Sequence, residues 1–533
     1  MPTRKKTKVP PPQLIHSRRL IIVSNRGPVE YQLTQDQMLK ARRGAGGMVT
    51  ALIDIGNRMD VTWVAMTMTE GDRLAAKQAQ QHGGLLHSPL SGQNMQLRYV
   101  AIAKEAYRKH YEEISNQLFW FLQHYMYDPT QDSASAKQLQ DAWENGYTVA
   151  NQAIACAVNA EIEREETETL PVVMLQDYHL YLAPAMIRQQ HPSIIMQHFI
   201  HIPWPDIRCW HFLPSRIAQA VYQGLVGNDI IGFQTQRDAH NFLEGARTLL
   251  DGAVVDFEEE AIWWQGHRTQ IQAYPISISV SEERKAINSA AGKRAAEAIK
   301  PLLREHTIMR VDRIEPTKNL MRGFHAYSQM LEKHPELHSK VVFLAFLVPS
   351  RQTLPMYRHF DADVRSLIDE INQTYGTDDW MPIQAFFNND RIRALAAMQF
   401  YDVLLVNPIV DGMNLVAKEG AVVNQRDGVI VLSRTAGAFQ QLAKGSIPTS
   451  PINIEETEEA LYEALMLSAD ERKIKAEAVR QAVERSDLTE WIAQQVHDLN
   501  DLLDRTFRNV KPIKDGGPIT DELAKDLVIT TLA

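Results

Sequence analysis

Cysteine is scarce: only Cys156 and Cys209 occur in 533 residues, which excludes a disulfide framework and points to a reducing, cytoplasmic setting. No Cys/His ligand cluster accompanies them, so they read as buried small hydrophobes rather than zinc ligands or nucleophiles. Long apolar runs are missing as well. The longest, such as 341–348, have about eight residues where a membrane span needs roughly 18–20, so no membrane-spanning segment is expected. Nor is there an excess of positive charge. The 56 Lys+Arg against 65 Asp+Glu leave −9, which argues against nucleic acid as the main partner and makes any phosphate site a local one. Arg4, Lys5, Lys6 and Lys8 are followed by Pro10, Pro11 and Pro12 instead of an apolar stretch, so residues 1–19 read as a basic flexible tail, not a signal peptide.

What is present is ordinary globular material, 44% hydrophobic and 23% charged, with enough apolar side chain for large cores. Short apolar runs at 20–23, 171–175, 194–200, 230–233, 307–311, 341–346, 403–406 and 429–432 predict buried strands. Between many of them lie stretches of helical period, such as 181–190 and 391–399, and this alternation predicts an α/β fold with parallel sheets covered on both faces. The series is too long for one sheet. A break at YPISISV (274–280), before a charged, Ala-rich helical pattern over 282–303, predicts two doubly wound domains, 20–275 and 276–490, facing across a cleft. The end of the chain is helical and charged from about 467, and 511–533 read as a tail.

Several segments have the chemistry of a phosphate site. SNRGP (24–28) and RRGAGGMVTAL (42–52) could let backbone N–H groups approach an anion at a helix start, although neither a dinucleotide fingerprint nor a P-loop is present. MRVDRIEPTKN (309–319) puts Arg313 and Lys318 in a loop after a strand, where two cations suit a diphosphate leaving group. In NPIVDGMNLVAKEGAVV (407–423), Asp411 and Gly412 would turn the chain into a helix beginning near Met413. Glu419, about two turns in, could accept from ribose hydroxyls. QDYHL (176–180) and HFIHIPWP (198–205) close strands with polar groups, which read either as ligand contacts or as satisfied buried imidazoles; metal-ligand spacing is lacking.

Taken in order, SNRGP, GAGG, SNQLFW (115–120), QDYHL, HIPWP, DIIGFQT (229–235), RVDRIEPTK and DGMNLVAKEG closely resemble the trehalose-6-phosphate synthase family of retaining nucleotide-sugar glycosyltransferases, family 20, from about residue 20 to about 500. The resemblance implies a GT-B fold of two Rossmann-like domains, acceptor mainly on the first, sugar nucleotide mainly on the second, with no metal or other cofactor. It also implies a C-terminal helix, 491–510, packing back on the first domain. By this resemblance Arg313 and Lys318 hold the donor diphosphate, with Gly46, Gly47, Gly412, Met413, Asn414 and Leu415 beside it, and Glu419 takes the ribose. Asp411 and His201 hold the transferred glucose and, with Arg313 and Lys318, make up the catalytic set; Arg26 and Arg391 clamp the acceptor phosphate, and Tyr111, Trp120 and Asp177 line its pocket. Arg393 is a substitute for Arg391 across a one-residue gap.

The implied reaction joins glucose from a nucleotide diphosphate glucose, UDP-glucose being expected, to glucose 6-phosphate, giving α,α-trehalose 6-phosphate. Departures keep other outcomes open. WVAMTMTEG (63–71) puts Met66 where the family has an acceptor-facing tryptophan, and RIEPTKN and VDG replace RLDYxKG and RDG. HIPWP, WQGHRT (264–269), VNQRDG and VDG also resemble the pseudo-glycosyltransferase branch. The acceptor could then be a glycerol phosphate, another sugar phosphate or an amino-cyclitol phosphate, or the chain a non-catalytic sugar-nucleotide-binding subunit; a homo-oligomer is left open.

Overall fold

Apolar runs too continuous to have a wet face become strands buried on both sides, and their carboxyl ends define the architecture. The computed structural model describes residues 18–36, 38–44, 49, 52–53, 60–90, 95–130, 135–164 and 170–509. Of the tails read at 1–19 and 511–533, only Arg18 and Arg19 are among the described residues, and both are tied to the first domain, Arg18 donating to Leu170 O and Arg19 to Glu161 O at 2.5 Å each.

The first sheet has ten strands. Its parallel centre runs His267–Ala273, Ile230–Phe233, Ile195–Phe199, Val172–Gln176, Leu20–Ser24, Val61–Met66 and Met95–Val100. Antiparallel strands close both edges: Ala261–Trp264 and Val254–Asp256 on one side, Leu86–His87 on the other. The second sheet is wholly parallel, in the order Ile383–Phe386, Val341–Pro349, His306–Ile314, Val403–Val406, Val429–Ser433, Ser446–Thr449.

Each sheet reverses its chain order once. In the first, the strand after Leu20–Ser24 lies to one side and Val172–Gln176 to the other; in the second, Val341–Pro349 and Val403–Val406 flank His306–Ile314. Loops leaving such a point diverge and open a crevice at the carboxyl ends, where open α/β sheets bind ligands. Asn25, Arg26 and Asp177 leave the first reversal, and the 315–319 and 407–414 loops leave the second.

Three features depart from the sequence reading. A hairpin, Val29–Leu33 with Leu39–Arg43, separates SNRGP from the glycine segment; its strands are too exposed to show an apolar run. The pattern over 282–303 splits into Val280–Asn288 and Ala290–Ile299 because Ser289 is extended and caps the second helix, accepting from Gly292 N at 3.0 Å. Lys109–Phe119 forms a π-helix packed against a second one, Trp143–Thr148. Gly146 permits that approach: a Cβ there would lie 2.4 Å from Lys109 Cβ.

The last helix, Leu488–Asn509, starts three residues before the expected position because Asp487 Oδ1 accepts from Thr489 N and Glu490 N. Leu488, Trp491, Val496, Leu499 and Leu503 form its buried stripe. It crosses to the first sheet, where Trp491 Nε1 donates to Tyr274 O at 3.1 Å and Gln197 Nε2 to Gln495 Oε1 at 2.9 Å. On the other side of the 274–280 connection, the buried Lys418 donates to Ile276 O at 2.7 Å. Among the described residues no helix is long and apolar enough to cross a membrane.

Trp491→Ala removes a ring that is 2% exposed and leaves the Tyr274 carbonyl without its donor. The expected loss is about 3–5 kcal/mol, read as an earlier transition in a denaturant titration.

Candidate active site

The second domain brings a cluster of charge to its chain reversal. Arg310 is fully buried, donating to Asp312 Oδ2 at 2.9 Å, to Lys318 O at 3.1 Å and to Asn407 Oδ1 at 3.3 Å. It therefore ties the loop after one strand to the loop after its neighbour. A 3₁₀ turn at Pro316–Lys318, closed by Asn319 in the left-handed region, directs the Lys318 ammonium onto the Asp411 carboxylate. Asn414 Nδ2 donates to the same Asp411 oxygen at 3.1 Å, while its Oδ1 accepts from Ala417 N at 3.2 Å and caps the helix Leu415–Val423. Burial would raise the Asp411 pKa, but Lys318 and Asn414 hold it below the ordinary value, so Asp411 is an anion.

Trp120, at the end of the Lys109–Phe119 π-helix, meets this cluster from the first domain. The Arg351 guanidinium lies 4.1 Å and that of Arg313 5.5 Å from its ring centroid. Arg351 donates to Glu315 Oε1 at 3.2 Å and to Tyr357 Oη at 2.7 Å, and approaches Tyr178 Oη at 3.4 Å. Tyr111 stacks on His179 at 5.8 Å, and Arg26 Nε donates to Met68 Sδ at 3.5 Å.

Asp177 follows the strand Val172–Gln176 with φ 70, an uncommon conformation for a residue with a side chain. Its Oδ1 accepts from His201 N at 3.2 Å. Burial pushes its pKa up to about 7, opposed by that hydrogen bond, one from Tyr178, and the charges of Arg351 and Arg313. Burial also lowers the His201 imidazole to about 3, leaving it neutral with Nε2 on Gln176 Oε1 at 3.0 Å. The domains touch here: a Cβ on Gly412 would lie 2.3 Å from the His201 carbonyl oxygen.

Arg313, Lys318, Asp411, Gly412, Met413, Asn414 and Leu415 thus gather at one reversal, with Trp120, Asp177 and His201 reaching them from the first domain. Gly46 and Gly47 lie outside the described residues. Glu419 is the fifth residue of its helix, just over one turn in rather than two, and burial with repulsion from Glu283 raises it to about 7 against the attraction of Arg391.

Arg391 is not with the acceptor group. It pairs with Glu283 at 2.5 Å and with Glu419 at 3.5 Å, midway along the helix Leu415–Val423, from a helix of its own that Asp390 caps. Arg393 lies over Phe386, and it is Arg351 that stands at Trp120 and Tyr178. The signal was available: Arg351 follows a strand at its carboxyl end, the same pattern that singled out Arg313. Met66 needs correction too. As the last residue of Val61–Met66 it turns into the core, 1% exposed among Ile21, Val23 and Val64, and Met68 is the methionine beside Arg26. Among the described residues no group of three or more His, Cys, Asp or Glu is arranged to hold a metal ion.

Two facing domains with their reversal points opposed define the GT-B fold. A solved *Escherichia coli* trehalose-6-phosphate structure shares it at TM-score 0.77 and 24% identity, over 90% of this chain and 99% of that one. A *Burkholderia xenovorans* α,α-trehalose-phosphate synthase structure does so at 0.75 and 23%, over 90% and 99%. The chain belongs to glycosyltransferase family 20, whose sequence model matches residues 18–501. It is 30% identical over 469 residues to the UDP-forming α,α-trehalose-phosphate synthase of *Schizosaccharomyces pombe*, covering 86% of each chain. It is also 30% identical over 495 residues to a bifunctional trehalose-6-phosphate synthase/phosphatase of *Thermoproteus tenax*, covering 90% of this chain and 63% of that relative's length. Against a *Dictyostelium discoideum* relative the share of the longer protein is 64%.

The raised Asp177 pKa predicts a pH effect. The folded state holds this proton up to about pH 7 while the unfolded chain releases it near pH 3.8, so stability falls as pH rises between them. Asp177→Asn keeps the acceptor for His201 N and removes the titration. The variant is expected to gain stability relative to the parent at pH 8 compared with pH 4, measured by denaturant midpoints at both.

Proposed function

We propose that this chain is a retaining glycosyltransferase that moves glucose from UDP-glucose to the anomeric hydroxyl of glucose 6-phosphate, forming α,α-trehalose 6-phosphate. The observation that carries the reading is the meeting of two cation groups at Trp120: Arg313, with Lys318 behind it, and Arg351. Two separate anionic groups need two such positions. The relatives point the same way, since the *S. pombe* protein is named UDP-forming, the *E. coli* structure is bound with UDP-2-fluoro glucose, and the *B. xenovorans* structure is in complex with glucose-6-phosphate.

In this reading Arg313, Lys318 and the start of the helix Leu415–Val423 take the donor diphosphate, and Glu419 the ribose. Asp411 and His201 take the glucose; Arg26 and Arg351 hold the acceptor phosphate, with Tyr111, Trp120 and Asp177 around the sugar. As the bond from glucose C1 to the phosphate oxygen breaks, charge builds on that oxygen, and Arg313, Lys318 and the helix dipole stabilise it. The departing phosphate accepts the proton of the attacking hydroxyl on the same face, so the new C1–O bond forms there and configuration is retained. No metal ion enters the scheme. Closure of the domains at Gly412 and His201 excludes water and aligns the reactants. We place the enzyme in the cytoplasm, in keeping with two free thiols, Cys156 exposed and Cys209 half-buried rather than both in the core.

A second reading keeps the donor and changes the acceptor to another phosphorylated compound, motivated by the thioether of Met68 beside Arg26. Nucleoside diphosphate release from UDP-, GDP- and ADP-glucose against a panel of phosphorylated acceptors separates the two. UDP-glucose with glucose 6-phosphate is expected to be the fastest pair; donor binding with no release under any acceptor would refute both.

Arg313→Ala and Lys318→Ala are each expected to lower kcat by about two to three orders of magnitude, the scale of losing one donor to a developing oxyanion. Arg351→Ala is expected to raise KM for the acceptor far more than for the donor, while Arg391→Ala leaves the acceptor KM close to the parent value. Initial rates with each substrate varied in turn check all four.

A further inference from the structure

One carboxylate touches the cations of both anion positions. Glu315 is 0% exposed and follows the strand His306–Ile314. Its Oε1 lies 2.6 Å from Arg313 Nη1 in an ion pair, and accepts from Arg351 Nη1 at 3.2 Å and from Ser350 Oγ at 2.7 Å. Its Oε2 takes no hydrogen bond among the described residues, so both guanidinium groups are drawn to the same point. The arginines stand at the carboxyl ends of neighbouring parallel strands, where Arg313 pairs in register with Val348 and Arg351 follows two residues after Pro349.

Two guanidinium groups this close repel each other, and each is a long side chain with many rotamers. A carboxylate held between them offsets the repulsion and removes most of the freedom of both. Glu315 is itself held, by Ser350 and by the strand end that carries it.

We propose that Glu315 is a positioning residue that locks the donor-facing Arg313 to the acceptor-facing Arg351, so that one side chain sets the spacing of the two bound phosphates and with it the distance between the anomeric carbon and the attacking hydroxyl. This inference rests on the functional reading above, which assigns the two arginines to different substrates. The simpler role for Glu315, neutralising buried positive charge, makes the opposite prediction: removing its charge would strengthen the attraction for both phosphates and tighten both substrates.

Glu315→Gln keeps the shape and removes the charge. With UDP-glucose and glucose 6-phosphate varied in turn, KM is expected to rise about tenfold for both substrates and kcat to fall about 10–100-fold, as expected when reactants are held off line. Ser350→Ala, which leaves both arginines intact, is expected to raise both KM values by about two- to fivefold and keeps the question open to test should Glu315→Gln fail to fold. A change confined to one substrate, unchanged kinetics, or lower KM for both would overturn the proposal. Should the parent protein release no UDP with glucose 6-phosphate, the functional reading falls instead. The affinities of UDP and glucose 6-phosphate by calorimetry then decide the positioning role: weakening of both by Glu315→Gln supports it, and any other pattern overturns it.

Discussion

Glu315 between Arg313 and Arg351, and Asp411 against Lys318, answer a conflict inherent in any phosphate-binding cleft. Cations bind anions best when stripped of water, yet stripped cations of one sign repel each other and resist burial. The protein supplies each with a carboxylate and fixes that carboxylate from a loop or a strand end. Arg310, buried with Asp312, repeats the device one layer deeper and joins the two loops that carry the rest. Ion pairs thus tie together the loops that line the site.

The backbone bears part of the cost. Asp177, Asn319, Arg351 and Asn414 all have positive φ, and each sits where a strand ends or a helix starts beside the cleft. Such conformations persist only where surrounding contacts over-determine them. Here the contacts are hydrogen bonds from His201 N to Asp177, from Asn319 to the Asn407 and Pro451 carbonyls, from Arg351 to Tyr357, and from Ala417 N to Asn414. The close approach of Gly412 to His201 adds a constraint between domains, since any Cβ there would meet a backbone oxygen.

Much of this was legible beforehand. Strands such as Ile230–Phe233 and Val403–Val406 coincide with their apolar runs because a strand covered on both faces has no reason to alternate. The hairpin from Val29 to Arg43 carries no such signal, because most of its residues are exposed or only partly buried. The π-helix bearing Tyr111 could not be read, because its widened turn is stabilised by packing against Trp143–Thr148 rather than by any local pattern. Arg391 and Arg351 show the limit most clearly. Both are arginines near a strand in the second half of the chain, and only the path of Val341–Pro349 beside His306–Ile314 brings one of them to Trp120.

The amino-acid order alone therefore determined the alternation of buried strands and helices, the loops that leave them, and the ordered set of motifs that marks the family, because these depend on neighbours along the chain. Tertiary structure decided which loop ends meet. The pairing of Glu315 with Arg351, the seating of Met66 in the core with Met68 beside Arg26, and the contact of Gly412 with His201 join residues that are distant along the chain or turned to opposite sides of it. Such contacts are set by strand order and sheet twist, which no local spacing records.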